Sequence, residues 1–80
     1  MNVYRYRMEA MSWCFANGYK VMVMPIKQGK KSLVKLNIVK GKKIIKRGNK
    51  LYAQDKQLGL LINNIYVYLY EKFNNVSFSS

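Results

Sequence analysis

The chain has 80 residues, half of them apolar and 14% aromatic, with fifteen Lys and Arg against three acids, for a formal net charge of +12. That length allows one small domain and no second core, and the apolar share excludes a disordered basic tail. No His is present, which removes imidazole bases, His metal ligands and Ser-His or Cys-His pairs from consideration.

A domain of this size buries only roughly 60–65% of the surface its unfolded chain exposes, so its core alone gives modest stability. Its charge lies above the magnitude of about 2 to 8 that keeps a small domain soluble without strong self-repulsion. The acids Glu9, Asp55 and Glu71 stand far apart, and nothing negative lies between the first two. Such asymmetry points to a polyanionic partner, nucleic acid first and an anionic membrane surface second. A biased composition, with twelve Lys to three Arg, accounts for part of the lysine content but not for the missing acids.

In chain order, NVYRYRMEAMSWCFANG predicts a helix that starts at Asn2 as N-cap and stops at Asn17-Gly18. Tyr4, Met8, Met11 and Phe15 recur at helical spacing and are the expected core face, widened by Trp13 and Cys14. A lone Cys14 permits no internal disulfide and is read as a structural thiol in a reduced, cytoplasmic setting. The opening MNVYRYRMEA has no apolar run of the kind a secretory signal needs.

After Gly18 the pattern alternates. In YKVMVMPIK, Tyr19, Val21 and Val23 point one way and Lys20, Met22, Met24 and Ile26 the other, which predicts a strand covered on both faces. Pro25 places its end of the strand at a sheet edge, since it cannot donate to a ladder. KQGKK supplies a turn. SLVKLNIVK then alternates clearly, with Val34, Leu36 and Ile38 on one face and Lys35 and Asn37 on the other beside Leu33 and Val39. KGK connects to a third strand in KIIKRGNKLYA, where Gly48-Asn49 reads either as a bulge or as a turn before a short fourth strand. Asp55 caps a last helix over about residues 56–73, whose stripe of Leu58, Leu61, Ile62, Ile65, Leu69 and Phe73 is wide enough to cover a sheet face. NNVSFSS, over residues 74–80, reads as a polar, uncapped tail. The longest apolar stretch, LGLLINNIYVYLY, is too short to span a bilayer.

The expected fold is therefore α+β in the order α-β-β-β-α: an N-terminal helix, a three- or four-stranded antiparallel β-meander, and a C-terminal helix packed on the sheet, all within residues 1–73. Catalysis has little to work with. The acids are not clustered as metal-dependent chemistry requires, and GKK at 29–31 and 41–43 does not fit a phosphate loop. No catalytic residue, metal or cofactor is expected.

Binding has more support. Lys27, Lys30, Lys31, Lys35, Lys40, Lys42, Lys43, Lys46, Arg47 and Lys50 form an acid-free run suited to phosphate contact with DNA or RNA. Lysine is a flexible point charge whereas arginine's fork is the usual reader of guanine edges, so weakly sequence-selective contact is expected. Tyr19 and Tyr52 are candidates for stacking on unpaired bases. The bland reading of the run is a solvated hairpin, and the two differ in which of Lys43, Ile45 and Arg47 or Ile44 and Lys46 face outward. The last helix has a second apolar face, Leu60, Val67 and Tyr70, that either the first helix or a second copy could cover. An alternative function is a small structural or interaction subunit of a virion or ribonucleoprotein, homo-oligomeric through that face. Membrane binding is disfavoured, because that helix carries only Lys56 and Lys72 as cations.

Overall fold

In a computed structural model of the chain, residues 2–29 and 31–77 are described, without the side chains of Gln28 and Lys31. The elements are α1 (Val3–Ala16), β1 (Tyr19–Gln28), β2 (Lys31–Lys40), β3 (Lys43–Arg47), β4 (Tyr52–Ala53) and α2 (Lys56–Asn74). This is the expected α+β arrangement, with the fourth strand present as a two-residue pair.

Local chemistry sets the helix ends. The Asn2 side chain accepts from the Tyr4 N–H at 2.7 Å, and the Asp55 carboxylate accepts from the Gln57 N–H at 2.9 Å, so each fills one of the donors that a helix start leaves open. Gly18, at φ 81°, turns the chain out of α1. At the other end the tail is not uncapped as the sequence suggested. Asn75 adopts the left-handed conformation (φ 54°), and the Val76 N–H donates to the Glu71 carbonyl, a stop that Asn can supply in place of Gly. Residues 78–80 of the expected tail lie outside the described residues.

β1 and β2 form a ten-residue antiparallel hairpin, and β2 is the central strand. Its second edge is shared: β3 pairs with Asn37–Lys40, and β4 returns to pair with Leu33 and Val34. Register assigns the faces, because partners across a ladder point the same way. Tyr19, Val21, Val23 and Pro25 lie with Val34, Leu36 and Ile38 on one face, while Lys20, Met22, Met24 and Ile26 lie with Leu33, Lys35, Asn37 and Val39 on the other.

Both helices sit on the first face. The buried core joins Cys14 of α1, Tyr19 and Val21 of β1, Val34 and Leu36 of β2, and Tyr66 and Leu69 of α2, with Leu58, Leu61, Ile62 and Ile65 packed against it. The α2 stripe read from the sequence is thus the sheet-facing one. Phe73 ends it half exposed, lying along the Tyr19 ring at 5.2 Å. The expectation that β1 is covered on both faces is not met. Among the described residues no helix covers the second face, where Met24 is exposed and Met22 and Ile26 are half-buried.

The α1 core face also differs from expectation. Cys14 is buried and Met11 and Trp13 pack against the core as expected, but Tyr6 and Ala10 are buried too, whereas Tyr4, Met8 and Phe15 are 69%, 52% and 54% exposed. The reason is size. Ala10 and Cys14 let α1 approach α2 closely, and dispersion contacts from that approach outweigh what the larger side chains would gain on the same face. Cys14 donates its Sγ–H to the Tyr66 carbonyl at 3.4 Å, and Tyr6 donates its hydroxyl to Glu71 Oε2 at 2.8 Å.

Tyr66 also reaches the sheet. Its hydroxyl accepts the Val21 N–H at 3.0 Å, so this N–H points away from β2 and the outer edge of β1 is capped there. Pro25, an even number of residues on, presents its missing donor to that same edge, as the sequence predicted.

Gly48 ends β3 against β2. Its N–H donates to the Leu36 carbonyl at 3.0 Å and to Asn37 Oδ1 at 3.2 Å, and a Cβ there would overlap the Leu36 carbonyl oxygen. Gly48→Ala is therefore expected to lower stability by about 2 kcal/mol or more in urea denaturation, through overpacking and the displaced hydrogen bonds. Tyr66→Phe leaves the buried Val21 N–H without its partner and is expected to cost about 1–3 kcal/mol. Tyr68→Phe, on an exposed part of the same helix, should stay within about 0.5 kcal/mol of the parent.

Candidate nucleic-acid interface

Charge is segregated by layer. Eleven of the fifteen cations and none of the three acids lie between Tyr19 and Ala53, the sheet segment, while Glu9, Asp55 and Glu71 belong to the helices and their caps. The β2–β3 loop is Gly41-Lys42, with Gly41 at φ 63° in the Gly-first arrangement of a tight hairpin. Lys40 and Lys43 face each other directly across it. Two like charges opposite one another on a ladder oppose folding, and nothing negative in the segment offsets them.

A bulge decides where the β3 cations point. Ile38 pairs with Lys46 and Val39 with Ile44, so Ile45 is the extra residue and simple alternation fails. Lys43 and Lys46 consequently lie on the helix-bearing face, and Ile44 and Arg47 on the open one. Neither grouping expected from strict alternation holds, and the bulge lies three residues before the Gly48 that the sequence suggested. Gly48–Leu51 is instead the connection that carries the chain from β3 to β4.

The candidate cations therefore divide. Lys35, half-buried, and Arg47, exposed opposite Asn37, lie with Lys20 on the open face around Met22, Met24, Val39 and Ile44. Lys27, Lys40, Lys43 and Lys46 belong by register to the other face, and all four are exposed. Lys42 projects from the hairpin turn, and Lys50 from the β3–β4 connection with its Nζ 5.7 Å from the Tyr52 ring centre. Lys30 and the side chain of Lys31 lie outside the described residues.

The two aromatic candidates fare differently. Tyr19 is 5% exposed, set against Trp13 at 5.7 Å and Phe73 at 5.2 Å, with the Lys40 Nζ 4.9 Å from its ring centre. It has no free ring face for a base, which corrects its assignment as a stacking residue. Tyr52 is half-buried opposite Val34 and lines a groove.

That groove, with a volume of about 440 Å³, lies on the helix-bearing side between α2 and the strip where β3 leaves β2 and β4 rejoins it. Leu36, Ile38 and Ile65 form its floor, and Lys46, Lys50, Tyr52, Asn64 and Tyr68 stand around it. The sequence singled out Lys46, Lys50 and Tyr52 but not Asn64 or Tyr68. Those two lie on α2, beyond the basic run, and only the tertiary packing brings them to it.

Of the proposed interface residues, Tyr70 is engaged within the chain by edge contacts to Tyr6 at 5.8 Å and Trp13 at 5.9 Å. Val67 is half-buried and Leu60 is 50% exposed. No helix is long and apolar enough to cross a membrane among the described residues. Comparison with known proteins finds no family model, curated protein or solved structure that matches the chain.

Two side chains at the helix–helix contact, Tyr6 and Cys14, have shifted titrations. Burial pushes the Cys14 thiol up to about 11, so it is neutral and unreactive at ordinary pH. Burial, then the hydrogen bond it donates to the Glu71 carboxylate, pushes the Tyr6 hydroxyl up to about 12. Its folded value lies above its unfolded value of about 10, so its contribution is complete below pH 10 and is lost as pH rises toward 12. Thermal midpoints measured across that window should fall in the parent and fall less in Tyr6→Phe.

Proposed function

We propose that this chain is a non-enzymatic nucleic-acid-binding protein that grips the phosphate backbone, with little sequence selectivity, through its sheet layer. The carrying observation is the segregation of charge: a continuous acid-free sheet segment bears eleven cations, two of them opposed across a two-residue turn. Repulsion within that layer is an unmet cost in the free protein. A polyanion relieves it and releases its own condensed counterions on binding. The division of cations between two faces favours a strand that passes over the β2–β3 hairpin and its turn rather than one that lies flat on the open face alone.

Fluorescence polarisation with labelled single- and double-stranded oligonucleotides tests this reading. If about five cations contact phosphate, log K should fall against log salt with a slope near −4.5 for duplex or −3.5 for a single strand. No binding at about 50 mM salt overturns it. Lys40→Ala is expected to flatten the slope by about one while changing stability by less than about 1 kcal/mol, since relief of the opposed charges offsets loss of the Lys40 contact with the Tyr19 ring.

A second reading, a subunit of a larger assembly, draws on the exposed Leu60 together with Tyr4, Met8 and Phe15 on α1. Its contact would differ from the one expected from sequence, because Tyr70 is already packed against α1. A strictly monomeric mass by sedimentation across the micromolar range would count against homo-oligomerisation.

A further inference from the structure

We infer that the groove between α2 and the β3–β4 connection is a site for one unpaired nucleobase and its adjoining phosphate. The inference rests on the nucleic-acid reading above and adds to it a preference for single strands.

The groove exists because the second edge of β2 is not paired along its whole length. The last contact of β3 with β2 is the Gly48 N–H on the Leu36 carbonyl, and β4 rejoins only at Val34, so the edge opens between those two points and the Asn49–Leu51 connection spans the gap. Beneath the opening the floor is apolar, and α2 closes the far side. Its volume of about 440 Å³ lies within the range of sites that enclose a small organic ligand.

The side chains around it match the parts of a nucleotide. Tyr52 and Tyr68 bring two phenol rings to a planar partner, and every base has a π-face that an aromatic side chain can stack upon. Tyr68 is 51% exposed, with the Lys72 Nζ 5.7 Å from its ring centre. The Asn64 carboxamide offers both a donor and an acceptor to the edge of a base, which a purely apolar site could not. Lys46 and Lys50 supply positive charge for the adjoining phosphate, and among the described residues no carboxylate lines the groove. A duplex cannot use the site without extruding a base, which costs unstacking energy.

The test compares a labelled oligothymidylate of about 12 nucleotides, within the span of known single-strand sites, with a duplex of equal length. The parent is expected to prefer the single strand. Tyr68→Ala should weaken single-strand binding about tenfold and leave duplex binding within about twofold, while Tyr68→Phe, which keeps the ring, should restore the single-strand affinity. Because Tyr68 is exposed, the fold should survive both changes, and circular dichroism checks that it does. If Tyr68→Ala leaves single-strand affinity unchanged while Lys40→Ala weakens it, the groove assignment falls and backbone binding stands. If the parent binds neither oligonucleotide, both fall together. Thymidine monophosphate followed by NMR gives a direct reading: shifts confined to Gly48, Tyr52, Asn64 and Tyr68 support the site, and shifts confined to the lysines overturn it.

Discussion

Tyr66 joins the three parts of this molecule. Its hydroxyl holds the Val21 N–H of β1, its carbonyl accepts from Cys14 of α1, and its ring packs in the core within 5.2 Å of Phe15. A small domain with little apolar surface to bury depends on contacts that serve more than one element at a time. Without that side chain the two helices would still each meet the sheet through neighbouring residues, but no single group would fix all three relative orientations. The aromatic cluster of Trp13, Tyr19, Tyr70 and Phe73 then closes the end of the joint.

The other decisive constraint is on β2, whose second edge must serve two partners. A bulge at Ile45 and the close approach of Gly48 let β3 leave early. Asn37, a buried polar residue, is satisfied in doing so, because its Oδ1 accepts the Gly48 N–H. The same departure sends Lys46 to the helix side and Arg47 to the open side, and opens the groove. Charge placement and concavity therefore share one backbone cause.

Features governed by neighbours in sequence were legible beforehand. Asn2 and Asp55 as caps, Gly18 as a stop, Pro25 at an edge and the alternation of Val34, Leu36 and Ile38 all follow from local rules. The core face of α1 was legible only in part: Met11, Trp13 and Cys14 were read, but Ala10 is buried for its small size and Tyr6 for its contacts with Glu71 and Tyr70, both of which matter only once α2 is present. The bulge was not legible, since Ile45 carries none of the Gly or Pro marks that usually announce one. Tyr19 looked available for stacking only because the ring partners Trp13 and Phe73 come from either end of the chain. Asn64 and Tyr68 lacked any signal in the basic run, and their place beside it is a product of how α2 crosses the sheet.

The capped edge of β1 also has a meaning in time. Val21 and Pro25 interrupt the row of donors that a foreign strand would pair with, but the Val21 cap comes from Tyr66 of α2. The β1–β2 hairpin is complete in sequence by Lys40, so during synthesis its outer edge emerges well before the side chain that seals it. For that interval Pro25 and the repulsion between like-charged chains are what keep one nascent hairpin from adding to another.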